Sequence, residues 1–105
     1  MVRLLFLMIA AHALCDIPLQ GDFLSRAKRG IDPNFPAWLA LFYHGMIHAG
    51  AVLLITGSML TALGEVTIHA LTDAAKCRNH ISGKVDQAIH LGCKLVWLLL
   101  IWKGL

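Results

Sequence analysis

Ile68–Leu91, which reads IHALTDAAKCRNHISGKVDQAIHL, is the stretch that decides the fold. His69 and Asp73 lie four residues apart before a short basic break that contains a glycine, and Asp86 and His90 lie four apart after it. Residues at i and i+4 share one face of a helix, so each half presents one imidazole and one carboxylate together. The mirrored order is what an antiparallel helical hairpin needs to bring both pairs to one level. The stretch therefore indicates half of a metal site.

The composition indicates that the bilayer is the solvent. Hydrophobic residues make up 58% of the chain and charged residues only 14%, with a mean hydropathy of +0.71, whereas a soluble domain has about 25% charged residues. The 105 residues suffice for one domain, so residues 1–105 are expected to form a single integral-membrane helical unit. The net charge of +3 is small and its basic residues are scattered, which argues against a nucleic-acid partner.

Four apolar segments predict an all-α protein, a four-helix membrane bundle with up-down-up-down topology. The expected helices are residues 2–19, 37–63, 65–78 and 85–103. The third, with about 14 residues, would reach only about 21 Å and is therefore short. Gly64 is expected to separate it from the second helix, which leaves Glu65 at a helix end. Pro18 is expected to kink or end the first helix near Asp16, and Trp97 and Trp102 to lie toward a membrane interface.

The upstream helices carry pairs of the same kind. His12 and Asp16 lie four apart in the first helix, and His44 and His48 lie four apart in the second. In an up-down-up-down bundle all four pairs reach one level, near the cytoplasmic side. The expected metal ligands are five of the six histidines and three of the six acids: His12, Asp16, His44, His48, His69, Asp73, Asp86 and His90.

A mixed set of imidazoles and carboxylates suits Zn, Mn or Fe, with Zn as the first choice, and is too rich in nitrogen for Ca. A closed structural zinc site needs only four ligands. Either some of the eight residues orient the others, with Gln20 and Gln87 in the same outer role, or two metals sit together. Haem is disfavoured because it leaves the aspartates without a role. The alternative to a metal is a purely structural polar network.

Two basic loops predict the orientation. They contain Arg26, Lys28 and Arg29, and Lys76, Arg78 and Lys84. Placing both loops in the cytoplasm makes this a multi-pass protein of the inner (cytoplasmic) membrane with both termini outside. Lys28 and Lys76 lie a turn or more beyond the aspartates, where they could bind an anionic group. The alternative is that they only set the topology and extend toward the lipid headgroups.

With these residues the sequence resembles a family of small multi-helix membrane proteins of bacteria and their phages, whose function is unknown. The family pattern is H-x3-D-x3-Q followed by a basic residue, then H-x3-H, H-x3-D-x2-K and D-Q-x2-H. The matching residues here are His12-Asp16-Gln20 with Lys28, His44-His48, His69-Asp73-Lys76 and Asp86-Gln87-His90. Pro18 departs from the pattern, because the family has an ordinary apolar residue there. The resemblance implies a membrane location and little about activity.

The arrangement is also distantly similar to membrane-bound metal-dependent hydrolases, which set His and Asp near the ends of membrane helices. We therefore expect hydrolysis of a phosphate or ester bond of a membrane substrate, in which a metal activates water and Asp16, Asp73 or Asp86 accepts the proton. The alternative is a non-catalytic phage-type protein that binds a host membrane protein, with the His/Asp network structural. Besides the lipid bilayer and such a partner, a second copy of the chain is a candidate partner.

Overall fold

A computed structural model describes residues 1–105 and is entirely helical, which confirms the all-α prediction. Five helices are present rather than four: α1 Val2–Asp16, α2 Gly21–Lys28, α3 Ala37–Thr56, α4 Met59–Cys77 and α5 Gly83–Trp102. The four long helices contact one another in the order α1, α3, α4, α5 and back to α1, while the short α2 packs on α3 and α4. The molecule measures 44 × 23 × 21 Å, so its length is close to the thickness of a bilayer with its headgroups.

The first predicted helix is divided at Pro18. Proline has no N–H to continue a helix, and α1 ends at Asp16, as expected from the sequence. The predicted extension to residue 19 is wrong, because residues 17–20 form a turn and α2 then runs at 80° to α1. After the bend, most of the first basic segment lies in α2, and Lys28 at the end of α2 contacts Asp73 of α4.

The break between α3 and α4 lies at Gly57 and Ser58, not at Gly64 as predicted. Gly57 has a φ of +69°, in the left-handed region that suits the glycine ending a helix. Ser58 then caps α4 because its side-chain oxygen accepts a hydrogen bond from the Thr61 amide at 3.3 Å. The predicted ranges 37–63 and 65–78 are therefore wrong at this junction.

The third predicted helix is not short. α4 has 19 residues, and Glu65 lies inside it with 1% of its surface exposed instead of at its end. Gly64 serves packing: a Cβ there would come within 2.7 Å of the Trp97 ring. Of the two tryptophans expected toward a membrane interface, Trp97 is 6% exposed and packs inside the molecule, whereas Trp102 is 70% exposed.

The distribution of polar and apolar side chains supports membrane association. Large apolar residues face outward, for example Leu54 with 88% and Phe6 with 73% of the surface exposed, while five of the six histidines and three of the six acids are buried. A soluble protein has the opposite arrangement. The helices α3 and α5 are long and apolar enough to cross a membrane, and α1 with α2 adds a third crossing if the bent pair is one broken span.

Candidate metal centre

The eight residues that the sequence singled out lie in one cluster inside the ring of long helices. Two come from each helix: His12 and Asp16, His44 and His48, His69 and Asp73, Asp86 and His90. Seven of the eight are buried, and Asp16 has 20% of its side chain exposed. The His69 ring is stacked between those of His48 and His90, with ring centroids 3.8 and 4.0 Å apart. The structure thus brings all of the predicted ligands to one level.

Asp16 is the centre of one half of the cluster. Its Oδ1 lies 3.2 Å from Nε2 of His44 and 2.9 Å from Nε2 of His48. Its Oδ2 accepts a hydrogen bond from Nε2 of Gln87 at 3.1 Å. The side-chain oxygen of Gln87, Oε1, lies 2.9 Å from Nε2 of His12. Gln87 of α5 therefore contacts both His12 and Asp16 of α1. It orients predicted ligands from outside, which is the role that the sequence predicted for it.

Asp73 is the centre of the other half. Its Oδ1 lies 3.4 Å from Nε2 of His90, and its Oδ2 lies 3.7 Å from Nε2 of His69. The same Oδ2 accepts a hydrogen bond from Nζ of Lys28 at 2.8 Å. His90 is shared with Asp86, whose Oδ1 is 3.1 Å from Nε2 of His90. One imidazole thus lies between two carboxylates.

Two groups of side chains converge closely enough to hold a cation. They are Asp16, His44, His48 and His69, and His69, Asp73 and His90, with the ligand atoms in each group within 4.8 Å of one another. The first has the composition and number of ligands of a four-coordinate zinc site, and the second leaves a coordination position for water or substrate. His12 and Asp86 lie outside both groups. His69 belongs to both, so each group depends on it.

Four imidazole nitrogens in the cluster are buried without a hydrogen-bond partner. Both ring nitrogens of His69 are buried without a hydrogen-bond partner, as are the Nδ1 atoms of His12 and His44. Roughly 90% or more of buried polar groups normally have a partner, and an unsatisfied one is costly. A neutral imidazole has one N–H group and one nitrogen lone pair, so one nitrogen of each ring can bind a metal. The donor set therefore fits a divalent cation.

Glu65 is a further member of the site that the sequence analysis missed. Its carboxylate accepts hydrogen bonds from Nζ of Lys94 and, at 2.6 Å, from Nε1 of Trp97, and all three residues are buried. Its Oε1 also lies 3.4 Å from Nδ1 of His69. The carboxylate lies beside that nitrogen without a hydrogen bond to it, while Nε2 on the opposite side of the ring lies 3.7 Å from Oδ2 of Asp73. The sequence did indicate this position, because Glu65, His69 and Asp73 are spaced four residues apart and therefore share one face of a helix.

The remaining predicted residues lie at the end of the cluster where α2 and α4 meet. Lys28 is buried against Asp73, whereas Lys76 is half exposed with its Nζ 3.9 Å from Oδ2 of Asp86. Gln20 donates to the main-chain oxygen of Asp16 at 3.2 Å and is not hydrogen-bonded to the side chains of the predicted ligands. Gln20 is thus a neighbour of the site without an orienting contact to it.

Comparison of the chain with models of known protein families, with curated proteins and with solved structures gives no match. The resemblance to small membrane proteins of bacteria and phages stays a prediction.

Proposed function

We propose that this chain is an integral membrane protein that binds a divalent metal in the His/Asp cluster and hydrolyses a phosphate or ester bond of a membrane substrate. The observation that carries the proposal is the environment of His69. This imidazole is buried, lacks a hydrogen-bond partner at either nitrogen, and belongs to both groups of converging ligands. Zn suits the mixed nitrogen and oxygen donors best, with Mn or Fe as the alternatives.

The donor set suits hydrolysis because it combines a cation site with a carboxylate outside that site. A divalent cation lowers the pKa of a water molecule and polarises the bond under attack. Asp86 lies outside both ligand groups, so its carboxylate is the one of the three predicted bases that remains to accept the proton from the water. Asp16 and Asp73 serve as ligands in this proposal. Lys76, whose Nζ is 3.9 Å from Asp86, and Lys28 lie where they would hold an anionic group of the substrate.

The hydrolase proposal is tested with Asp86→Asn, which keeps the size of the side chain and removes its basicity. The purified chain, loaded with Zn or Mn in detergent, is incubated with phosphatidic acid and other lipid phosphates and esters. We expect metal-dependent release of phosphate or alcohol, and a rate about 100- to 10,000-fold lower in Asp86→Asn with metal still bound.

The matched control for this test is His80→Asn, because His80 is the one histidine outside the cluster and is exposed. It should hydrolyse at the wild-type rate. Bound metal with no turnover of any substrate would favour the non-catalytic alternative, and an Asp86→Asn rate equal to wild type would exclude Asp86 as the base.

We also propose that the chain crosses the inner membrane with both termini outside. The basic residues at the end of α2 and between α4 and α5 support this orientation, since such segments stay in the cytoplasm. A reporter enzyme that works only outside the cytoplasm, fused after Leu105, should be active. Activity only of a cytoplasmic reporter at the same position would reverse the orientation.

A further inference from the structure

A polar cavity of about 450 Å³ opens beside the metal centre, where the ends of α2 and α4 meet the start of α5. Its size lies within the roughly 300–1,000 Å³ of sites for small ligands. Its polar lining consists of three cations and four neutral hydrogen-bonding side chains: Lys28, Arg29 and Lys76, and Gln20, Ser25, Asn79 and Ser82. No acidic residue lines it. The cavity therefore favours an anion.

The three cations differ in how they are neutralised. Lys28 pairs with Asp73 at 2.8 Å, and Lys76 lies 3.9 Å from Asp86. Arg29 has no carboxylate partner, and its Nε donates only to the main-chain oxygen of Ser25 at 3.2 Å. A guanidinium with free N–H groups beside hydroxyl and amide donors matches the oxygens of a phosphate, which it can bind through two parallel hydrogen bonds.

A smaller groove of about 170 Å³ adjoins the cavity and shares Lys28, Arg29 and Cys77 with it. Its apolar wall includes Trp38 and Leu41 of α3, and Trp38 is 68% exposed. A tryptophan at the end of a candidate membrane-spanning helix is typical of the lipid–water interface. A ligand with a phosphate and an apolar tail could thus occupy both spaces.

The cavity is connected to the metal centre through Lys28. The ammonium group of Lys28 donates a hydrogen bond to the carboxylate of Asp73. Asp73 is also one of the converging metal ligands. A divalent cation on Asp73 and the ammonium of Lys28 therefore share one carboxylate and repel each other. Binding of the cation would push the ammonium toward the cavity that Lys28 also lines. There it would join Arg29 and Lys76, so the cavity would become more positive.

We propose that this cavity is a binding site for a phosphate group, presented by a membrane lipid or free in solution, and that divalent metal at Asp73 strengthens phosphate binding by releasing Lys28 into the cavity. This inference rests on the proposed function, because it requires a divalent metal at Asp73. It adds the class of substrate that the same site would bind, a phosphate. Because the two binding equilibria are thermodynamically linked, phosphate in the cavity must also strengthen metal binding, and by the same factor.

The test measures binding of the full chain, in nanodiscs of neutral lipid, to short-chain phosphatidic acid and separately to inorganic phosphate, with chelator or with Mn. We expect Mn to tighten binding by about 5- to 150-fold, the usual range for coupled sites. Arg29→Ala should weaken binding by about tenfold with or without Mn. Lys28→Met should bind equally with and without Mn, since the residue that couples the sites is gone.

Arg26→Ala is the matched control, because Arg26 is on the same helix, is paired with Asp22 and does not line the cavity. It should bind like wild type. Tighter binding of phosphatidic acid than of inorganic phosphate would support a lipid source, and equal binding would support a free phosphate. Equal binding by Arg29→Ala and Arg26→Ala would overturn the cavity as the site, even if metal is bound. Binding that depends on Arg29 but never on bound metal would overturn the coupling and leave the phosphate site.

Discussion

Replacing His69 by alanine should lower the affinity of the chain for Zn or Mn by more than the roughly 10- to 100-fold that the loss of an outer residue costs. The reason is that His69 belongs to both groups of converging ligands, so its loss weakens each of them. The affinity is measured in mild detergent by competition with a metal-chelating dye.

His80→Ala is the control for this experiment, since it removes an exposed histidine from the loop before α5 and leaves the cluster intact. It should bind metal like the wild-type chain. If His69→Ala and His80→Ala bound metal with equal affinity, the cluster would not be the metal site, whatever metal the chain carried.

Replacing Glu65 by leucine should lower the free energy of unfolding by about 3–5 kcal/mol. The substitution leaves the ammonium of Lys94, which is 2% exposed, without the carboxylate that accepts its hydrogen bond. The indole N–H of Trp97 loses its acceptor as well. Unfolding is followed in mixed micelles with increasing SDS, by near-ultraviolet circular dichroism.

A second substitution separates the loss of the ion pair from a general disturbance of the helix. In Glu65→Leu/Lys94→Met both charges of this buried pair are gone, so neither is left without its partner and most of the stability should return. Asp22→Asn breaks an exposed pair with Arg26 and should change stability by less than about 1 kcal/mol. A Glu65→Leu chain as stable as wild type, or a double variant no more stable than Glu65→Leu, would show that the buried pair is not what Glu65 contributes.

The sequence predicted which histidines and aspartates lie together better than it predicted the bounds of the helices. The i, i+4 pairs are a local property, because a helix fixes the relative direction of residues four apart. Alternating helix directions then bring the pairs to one level, which is where the structure has His12, His48, His69 and His90. The effect of Pro18 was likewise predictable, since a missing N–H acts on its own turn.

What the sequence could not show depends on contacts between distant residues. Gly57 and Gly64 are equally plausible helix breaks, and the choice between them follows from Ser58 as a cap and from the fit of Gly64 against Trp97. Glu65 looked like a helix end because its partners Lys94 and Trp97 lie on another helix. The position of Lys28 on Asp73 similarly depends on the bend between α1 and α2, which local rules predict only as a break.

Elemental analysis of the wild-type chain, purified in mild detergent without chelators, tests the metal centre most directly. We expect stoichiometric Zn, Mn or Fe that remains through dialysis and is lost in His69→Ala. A chain that carries no stoichiometric metal, and takes up none when Zn, Mn and Fe are supplied in turn, would contradict the metal centre and leave the cluster as a structural polar network.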